Sequence, residues 1–165
     1  MVREMKISGL TMDPHTNTPI VVLKDPKSET SLPIWIGLLE ATAIATELEQ
    51  VEFSRPMTHD LIKNLMVHLG AKVEKVEVCD LKDNTFYAWI YLNVGGKETR
   101  IDARPSDALA IALRADARIF VDEKVIEKSG NLETPVEAEI KDEEAKKWTD
   151  ILENLSPEDF GKYKM

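Results

Sequence analysis

The run from Asp102 to Asp107 concentrates side chains suited to phosphate chemistry. Asp102 ends a predicted strand, Arg104 follows it, and Ser106 and Asp107 lie in the first turn of a predicted helix. A helix N-terminus presents free amide hydrogens that favour phosphate, and arginine offers a planar fork to the same group. Two carboxylates across a turn could ligate Mg²⁺ or Mn²⁺. A hard cation beside an arginine suits phosphodiester cleavage, because the metal activates water and the arginine neutralises developing charge.

The same four residues also have a purely structural interpretation. Ser106 is suited to cap the helix and Asp107 to complement its dipole, while Arg104 could pair with Asp102 or Asp107. Composition and spacing by themselves favour this structural interpretation over the catalytic one.

A second Arg-Pro run, at residues 55–61, also ends in an acidic residue and an apolar helix. If the two runs belong to units that pack side by side, Arg55, His59 and Asp60 would face the same cleft as the first run, joined by Glu40 from the preceding helix. His59 would then be a candidate general base. A capping or surface role is the simpler interpretation of His59, as it is of His15 and His68.

Alternating strands and helices must position these residues. Period-2 patterns bounded by turn residues predict strands at residues 1–10, 19–23, 31–36, 72–78, 85–94, 98–101 and 119–121. Helical spacing predicts helices at residues 38–51, from residue 58 to Gly70, and at residues 108–115. The resulting fold class is α+β: duplicated strand–helix–strand units, with a mostly antiparallel sheet packed by helices.

Composition narrows the class of protein. The chain of 165 residues is 43% hydrophobic and 31% charged, which is typical of one folded domain. A net charge of −9 argues against a protein that coats long stretches of duplex. Four of the six arginines nevertheless fall between Arg100 and Arg118. The sequence contains no apolar run long enough to span a bilayer, so a cytoplasmic, membrane-free protein is expected, and the richness in Lys and Glu is typical of a thermophile.

The chain divides into a domain over residues 1–135 and an acidic tail over residues 136–165. Within the tail, the spacing of apolar residues predicts a helix at residues 139–155 with one apolar side. We expect this helical tail to dock on the domain or on a partner.

The motifs of the chain resemble those of the bifunctional nuclease domain family. The resemblance rests on Leu-Pro-Ile-Trp-Ile-Gly at residues 32–37 with Glu40, on residues 55–61, on Thr-Phe-Tyr-Ala at residues 85–88, and on Ile-Asp-Ala-Arg-Pro-Ser-Asp-Ala at residues 101–108 with Arg114. It runs in order over roughly residues 1–128, and the Asp-Ala-Arg-Pro-Ser-Asp-Ala string is its most specific part. It implies a nuclease that acts on DNA and RNA.

The leading hypothesis is therefore a metal-dependent phosphodiesterase acting on single-stranded or flexible nucleic acid. In this hypothesis Asp102 and Asp107 ligate Mg²⁺ or Mn²⁺ with help from Asp60 or Glu40. His59 is the general base, and the groups that bind substrate are Arg104, Arg55, Ser106 and Arg114. The alternative is a non-catalytic oligomeric binding or scaffold protein. A homo-oligomer, most simply a dimer, is expected in either case.

Overall fold

A computed structural model describes residues 1–130 of the chain, which contain seven strands and four helices. The strands are β1 (Val2–Met12), β2 (Pro19–Lys24), β3 (Ser31–Trp35), β4 (Ala71–Lys82), β5 (Thr85–Val94), β6 (Lys97–Ala103) and β7 (Arg118–Asp122). The helices are α1 (Leu38–Leu48), α2 (Thr58–His68), α3 (Pro105–Ala115) and α4 (Glu123–Ser129). None of these helices is both long and apolar enough to cross a bilayer.

The strands form one sheet in the order β3-β2-β1-β7-β4-β5-β6. All neighbouring pairs are antiparallel except β4 with β7, so the predicted α+β class and the mostly antiparallel sheet are confirmed. The chain contains one repeated unit of strands and a helix. It is a three-stranded meander followed by a helix, once as β1-β2-β3-α1 and once as β4-β5-β6-α3, with β7 between the two meanders.

Tight turns hold each meander in register. Asp83 and Asn84 join β4 to β5 with φ of 49° and 58°, and Gly95 and Gly96 join β5 to β6 with φ of 60° and 83°. Consecutive residues with positive φ match the twist of a two-residue hairpin, and Asn, Asp and Gly tolerate that conformation best.

One face of the sheet and the helices share a single hydrophobic core. Val76 of β4, Ile90 of β5 and Val121 of β7 pack in it with Ile44 of α1 and Leu109 of α3. These side chains are almost completely buried, as expected from the alternation along each strand and from the nearly all-apolar sequence of α3.

The α2 helix is the exception among the helices, because none of its residues is buried. It packs beside α3 through its partly buried residues Ile62 and Met66. The short α4 helix was not predicted; Asp122 caps its N-terminus by accepting the amide hydrogen of Lys124. The tail predicted at residues 136–165 lies outside the described residues.

Candidate active site

Three helices each carry an acidic residue at the third position of their first turn. These residues are Glu40 in α1, Asp60 in α2 and Asp107 in α3. A carboxylate in the first turn is stabilised by the partial positive charge at a helix N-terminus. The contacts described below link these three carboxylates into one cluster, so the first turns of the helices define the candidate site.

Arg104 joins the first turns of α1 and α3. Its Nη1 lies 2.8 Å from Oε1 of Glu40, and its Nε donates to Oδ2 of Asp107 at 2.8 Å. Arg104 is also the N-cap residue of α3, a position its extended backbone (φ −67°, ψ 145°) allows. Two of its five N–H donors are engaged in these contacts, which leaves three for a ligand.

His59 of α2 completes this half of the cluster. Its Nε2 lies 2.8 Å from Oδ1 of Asp107, so each oxygen of Asp107 has a cationic or imidazole partner. Because an ionised carboxylate only accepts hydrogen bonds, the proton of a neutral His59 resides on Nε2. Nδ1 then keeps its lone pair, which is the arrangement a general base requires.

Arg114 forms the second half of the cluster from the last turn of α3. Its Nε donates to Oδ1 of Asp60 at 2.7 Å, and its Nη1 donates to the carbonyl oxygens of Ala43 and Ala110 at 2.9 and 3.0 Å. Oδ2 of Asp60 accepts the amide hydrogen of Met57 at 2.9 Å. Arg114 is only 6% exposed and therefore joins α1, α2 and α3 from within the protein.

Both aspartates are held in the ionised form. Burial alone would raise the pKa of Asp107, but the hydrogen bonds from Arg104 and His59 outweigh it and hold the pKa below its usual value. Burial opposes ionisation of Asp60 in the same way, and the amide of Met57 together with Arg114 lowers the pKa of Asp60 below its usual value. Hydrogen bonds to the ionised carboxylates therefore account for the lowered pKa values of both aspartates.

Arg104 is the most accessible member of the cluster. Its side chain is 64% exposed, whereas those of His59 and Glu40 are 14% and 18% exposed. An exposed guanidinium held on two carboxylates, with an imidazole on the same carboxylate, can bind an anion next to a proton acceptor.

A hollow of about 300 Å³ lies beside the cluster. Arg55, Asp60, Asn64 and Arg114 line it, together with the segment at residues 51–54. The structure therefore brings Arg55 to the same hollow as Asp60 and Arg114. A larger hollow of about 470 Å³, around Lys24 and residues 25–29, contains none of the predicted site residues.

Asp102 and Ser106 lie apart from these contacts. Asp102 is exposed on β6, where it is the cross-strand partner of Trp89 on β5. Ser106 is buried at the second position of α3, and the N-cap of that helix is Arg104 rather than Ser106. The structural interpretation in which Ser106 caps the helix is thus not what is observed.

Within residues 1–130, no three His, Cys, Asp or Glu side chains are grouped closely enough to hold a metal ion. Arg104 and His59 occupy both oxygens of Asp107. The arrangement described here therefore does not fit a cation held by Asp102 and Asp107. A Mg²⁺ or Mn²⁺ ion at these residues stays a prediction from the sequence.

Replacing Arg114 by Ala should destabilise the protein by roughly 2–4 kcal/mol, because Asp60 and two carbonyl groups lose their donor. The lower part of that range is expected, since Asp60 is about one-third exposed and solvent screens its charge. Urea unfolding at neutral pH measures this change. Arg118→Ala, at an exposed arginine 3.8 Å from Glu4, is the matched control and should cost less than about 1 kcal/mol. Equal losses in the two variants would contradict a structural role for Arg114.

Asp60 should also contribute to the stability of the protein in a pH-dependent way. Because its folded-state pKa is lowered, its contribution is present above the unfolded-state pKa and disappears as the pH falls through the folded-state value. Asp60→Asn should therefore lose less free energy of unfolding than the wild type as the pH falls from about 5 to about 2. Asp83→Asn, in the exposed β4–β5 turn, should follow the wild type. If the free energy of unfolding of Asp60→Asn and of the wild type changed in parallel with pH, Asp60 would not be the source of this pH dependence.

Comparison with known proteins gives a consistent family. The sequence model of the bifunctional nuclease domain matches residues 21–133. An uncharacterized protein of Mycobacterium tuberculosis is 38% identical over 162 residues, which cover 95% of this chain and 97% of that protein. Bifunctional nuclease 1 of Arabidopsis thaliana is 28% identical over 137 residues, covering 76% of this chain and 41% of the plant protein.

Bifunctional nuclease 1 of Oryza sativa subsp. japonica is 26% identical over 114 residues, covering 67% of this chain and 34% of the rice protein. The chain thus matches less than half the length of these plant nucleases. The matched residues 21–133 include both Arg-Pro runs and all three first-turn carboxylates. The chain belongs to the bifunctional nuclease domain family.

Proposed function

We propose that this protein hydrolyses phosphodiester bonds in DNA, RNA or both. The observation that supports this most directly is the pairing of His59 with Asp107 on the carboxylate that also holds the exposed Arg104. A proton acceptor and an anion-binding group then lie next to each other on one aspartate. The family, with its distant plant bifunctional nucleases, gives the same reaction class.

In the proposed mechanism His59 is the general base. Its Nδ1 accepts a proton from the attacking water, and Asp107 stabilises the imidazolium that results. Asp107 acts on the reaction through His59 and is therefore a positioning residue. Its lowered pKa keeps it ionised at neutral pH, as this role requires.

Arg104 binds the phosphate in this proposal. Its three uncommitted N–H donors have no protein partner among residues 1–130, and its exposed position allows a polymer to approach. Glu40 holds the guanidinium in place. Arg55 and Arg114 line the adjacent hollow, where Arg55 can contact a neighbouring phosphate while Arg114 maintains the helix packing.

The proposed function also includes a divalent metal ion and a location in the cell. Mg²⁺ or Mn²⁺, if bound, would supply a Lewis acid and a water of lowered pKa. Asp102, exposed beside the N-terminus of α3, is the carboxylate nearest in sequence that the cluster leaves available. No step assigned above to His59 or Arg104 passes through a metal. A cytoplasmic location, as the sequence predicts, would give access to both nucleic acids.

His59→Asn should lower kcat for cleavage of a labelled single-stranded oligonucleotide by roughly 10²- to 10⁴-fold, the usual contribution of a general base. His68→Asn, at the opposite end of the same helix, is the matched control and should leave kcat unchanged. The assay is run with Mg²⁺, with Mn²⁺ and with EDTA, on DNA and on RNA. Equal cleavage by wild type and His59→Asn would assign the activity to another site or to a contaminant.

A homo-oligomeric binding protein is the second candidate function, and the α2 helix favours it. Leu61 and Leu65 of α2 and its C-cap residue Leu69 follow one another at intervals of four residues, and each is more than half exposed. A row of leucines on one helix face is typical of a surface that another helix covers. We propose that the same face of a second copy covers it, because twofold dimers join identical surfaces.

Leu65→Lys should then convert a dimer to a monomer in sedimentation equilibrium, because two lysines would be buried at the twofold interface. Val2→Lys, at an exposed valine on β1, is the control and should remain dimeric. A wild-type protein that is monomeric at all concentrations would reject this surface as a dimer interface.

A further inference from the structure

The second face of the sheet carries a row of aromatic side chains. Tyr87, Trp89 and Tyr91 alternate along β5, and Phe120 of β7 is on the same face because both Trp89 and Phe120 are cross-strand partners of Glu77. All four rings are partly or largely exposed. The described helices add their buried residues to the core on the other face, so they do not cover these rings.

Each ring of this aromatic face has a cationic side chain over it. The guanidinium of Arg100 is 4.3 Å from the centroid of Trp89, and Nζ of Lys75 is 4.4 Å from that of Tyr91. Lys82 and Arg118 lie 5.7 Å and 5.1 Å from the rings of Tyr87 and Phe120. These distances are within the range of cation–π attraction.

One acidic neighbour of these rings, Glu77, is already neutralised by partners. Glu77 is 12% exposed, accepts a hydrogen bond from the hydroxyl of Tyr91 at 3.1 Å and lies 3.7 Å from Nζ of Lys75. Glu4, the cross-strand partner of Phe120, is 44% exposed and lies 3.8 Å from Nη1 of Arg118. Asp102, the partner of Trp89, is also exposed. The accessible groups of this face are therefore rings, cations and these two carboxylates.

Register connects the aromatic face to the proposed active site. Trp89 is the partner of Asp102, and Ala88 is the partner of Ala103, the residue before Arg104. A ligand that follows the rings along β5 toward Tyr87 therefore reaches the edge of the sheet where β6 ends and the cluster at α3 begins.

The spacing of the rings selects the form of nucleic acid. Residues two apart on a strand are separated by about 6.8 Å, which is about twice the ~3.4 Å rise per nucleotide in a duplex strand. Bases that stack on successive rings must therefore belong to an extended, unpaired strand. A duplex keeps its bases stacked on one another and cannot match this spacing.

We propose that the aromatic face formed by Tyr87, Trp89, Tyr91 and Phe120 binds single-stranded nucleic acid and guides it to the cluster at Arg104. This inference rests on the proposed nuclease function for the choice of ligand. Bases stack on the rings, as in proteins that bind single strands. The cations leave the rings for the phosphates, which offer a full negative charge, and thereby open the rings to the bases.

The test uses the full chain and measures the Kd for a fluorescein-labelled dT oligonucleotide by fluorescence anisotropy. The wild type should bind this strand at least 10-fold more tightly than a duplex of the same length. Tyr87→Val combined with Trp89→Val should weaken binding by roughly 5- to 100-fold, the loss expected for one or two stacked bases. Circular dichroism confirms that the β-branched replacements retain the sheet.

Lys75→Ala gives a second measurement that does not depend on the rings. It should weaken binding and flatten the salt dependence of the Kd by about one phosphate contact. Lys72→Ala is the matched control, since Lys72 lies on the same strand and its partner at 3.6 Å is Glu74 rather than a ring. Unchanged binding in both Lys75→Ala and the double valine variant would overturn the proposal, as would equal affinity for duplex.

Hydrolysis of bis(p-nitrophenyl) phosphate separates this inference from the nuclease function. This small diester does not span the rings, so the double valine variant should hydrolyse it at the wild-type rate. If the double valine variant hydrolyses this diester at the wild-type rate and also binds dT as tightly as the wild type, the aromatic face does not bind nucleic acid. The proposed nuclease function is then unaffected. If wild type binds dT through the rings but cleaves neither substrate, the nuclease function fails alone.

Conversion of a wild-type dimer to a monomer by the valine changes, with the Kd unaltered, would assign the face to a second copy and overturn the proposal.

Discussion

The arrangement of α1, α2 and α3 depends on how the charges at their first turns are balanced. Each helix contributes a carboxylate at its third position, and Arg104, Arg114 and His59 connect these carboxylates. Three anions brought together without cations would repel one another, and the buried guanidinium of Arg114 would be costly without an anion. The packing of the helix layer and the geometry of the candidate active site are consequently the same set of contacts.

Much of the fold could be predicted from the sequence, because it depends on local patterns. Period-2 alternation and the turn residues Asp83, Asn84, Gly95 and Gly96 located the second meander. The two Arg-Pro runs look alike, but they precede α2 and α3 and do not mark the structural repeat. The structural repeat relates α1 to α3, whose starts share an acidic third residue followed by Ala-x-Ala-Ile-Ala, at residues 40–45 and 107–112.

The sequence indicated most of the residues of the candidate site but not which of them contact one another. Residue types indicated Glu40, His59, Asp60, Arg104 and Asp107, all of which belong to the cluster. Their pairing could not be predicted, since it links residues 48 and 54 positions apart in the chain. Asp102, five positions before Asp107, is the cross-strand partner of Trp89 and makes none of the contacts of the cluster. A shared third position in three helix starts was the sequence signal that could have identified the cluster.

The position of β7 has a consequence for how the chain reaches this structure. β7 is formed by residues late in the described sequence, yet it lies between β1 and β4 and bonds to both. Each meander can assemble from neighbouring segments as soon as it has been synthesised, whereas the sheet becomes continuous only when residues 118–122 have been inserted. Until then, the facing edges of β1 and β4 are unpaired strands that can join other chains. Synthesis of a chain truncated before residue 118 would therefore yield two half-sheets with unpaired edge strands rather than one continuous sheet.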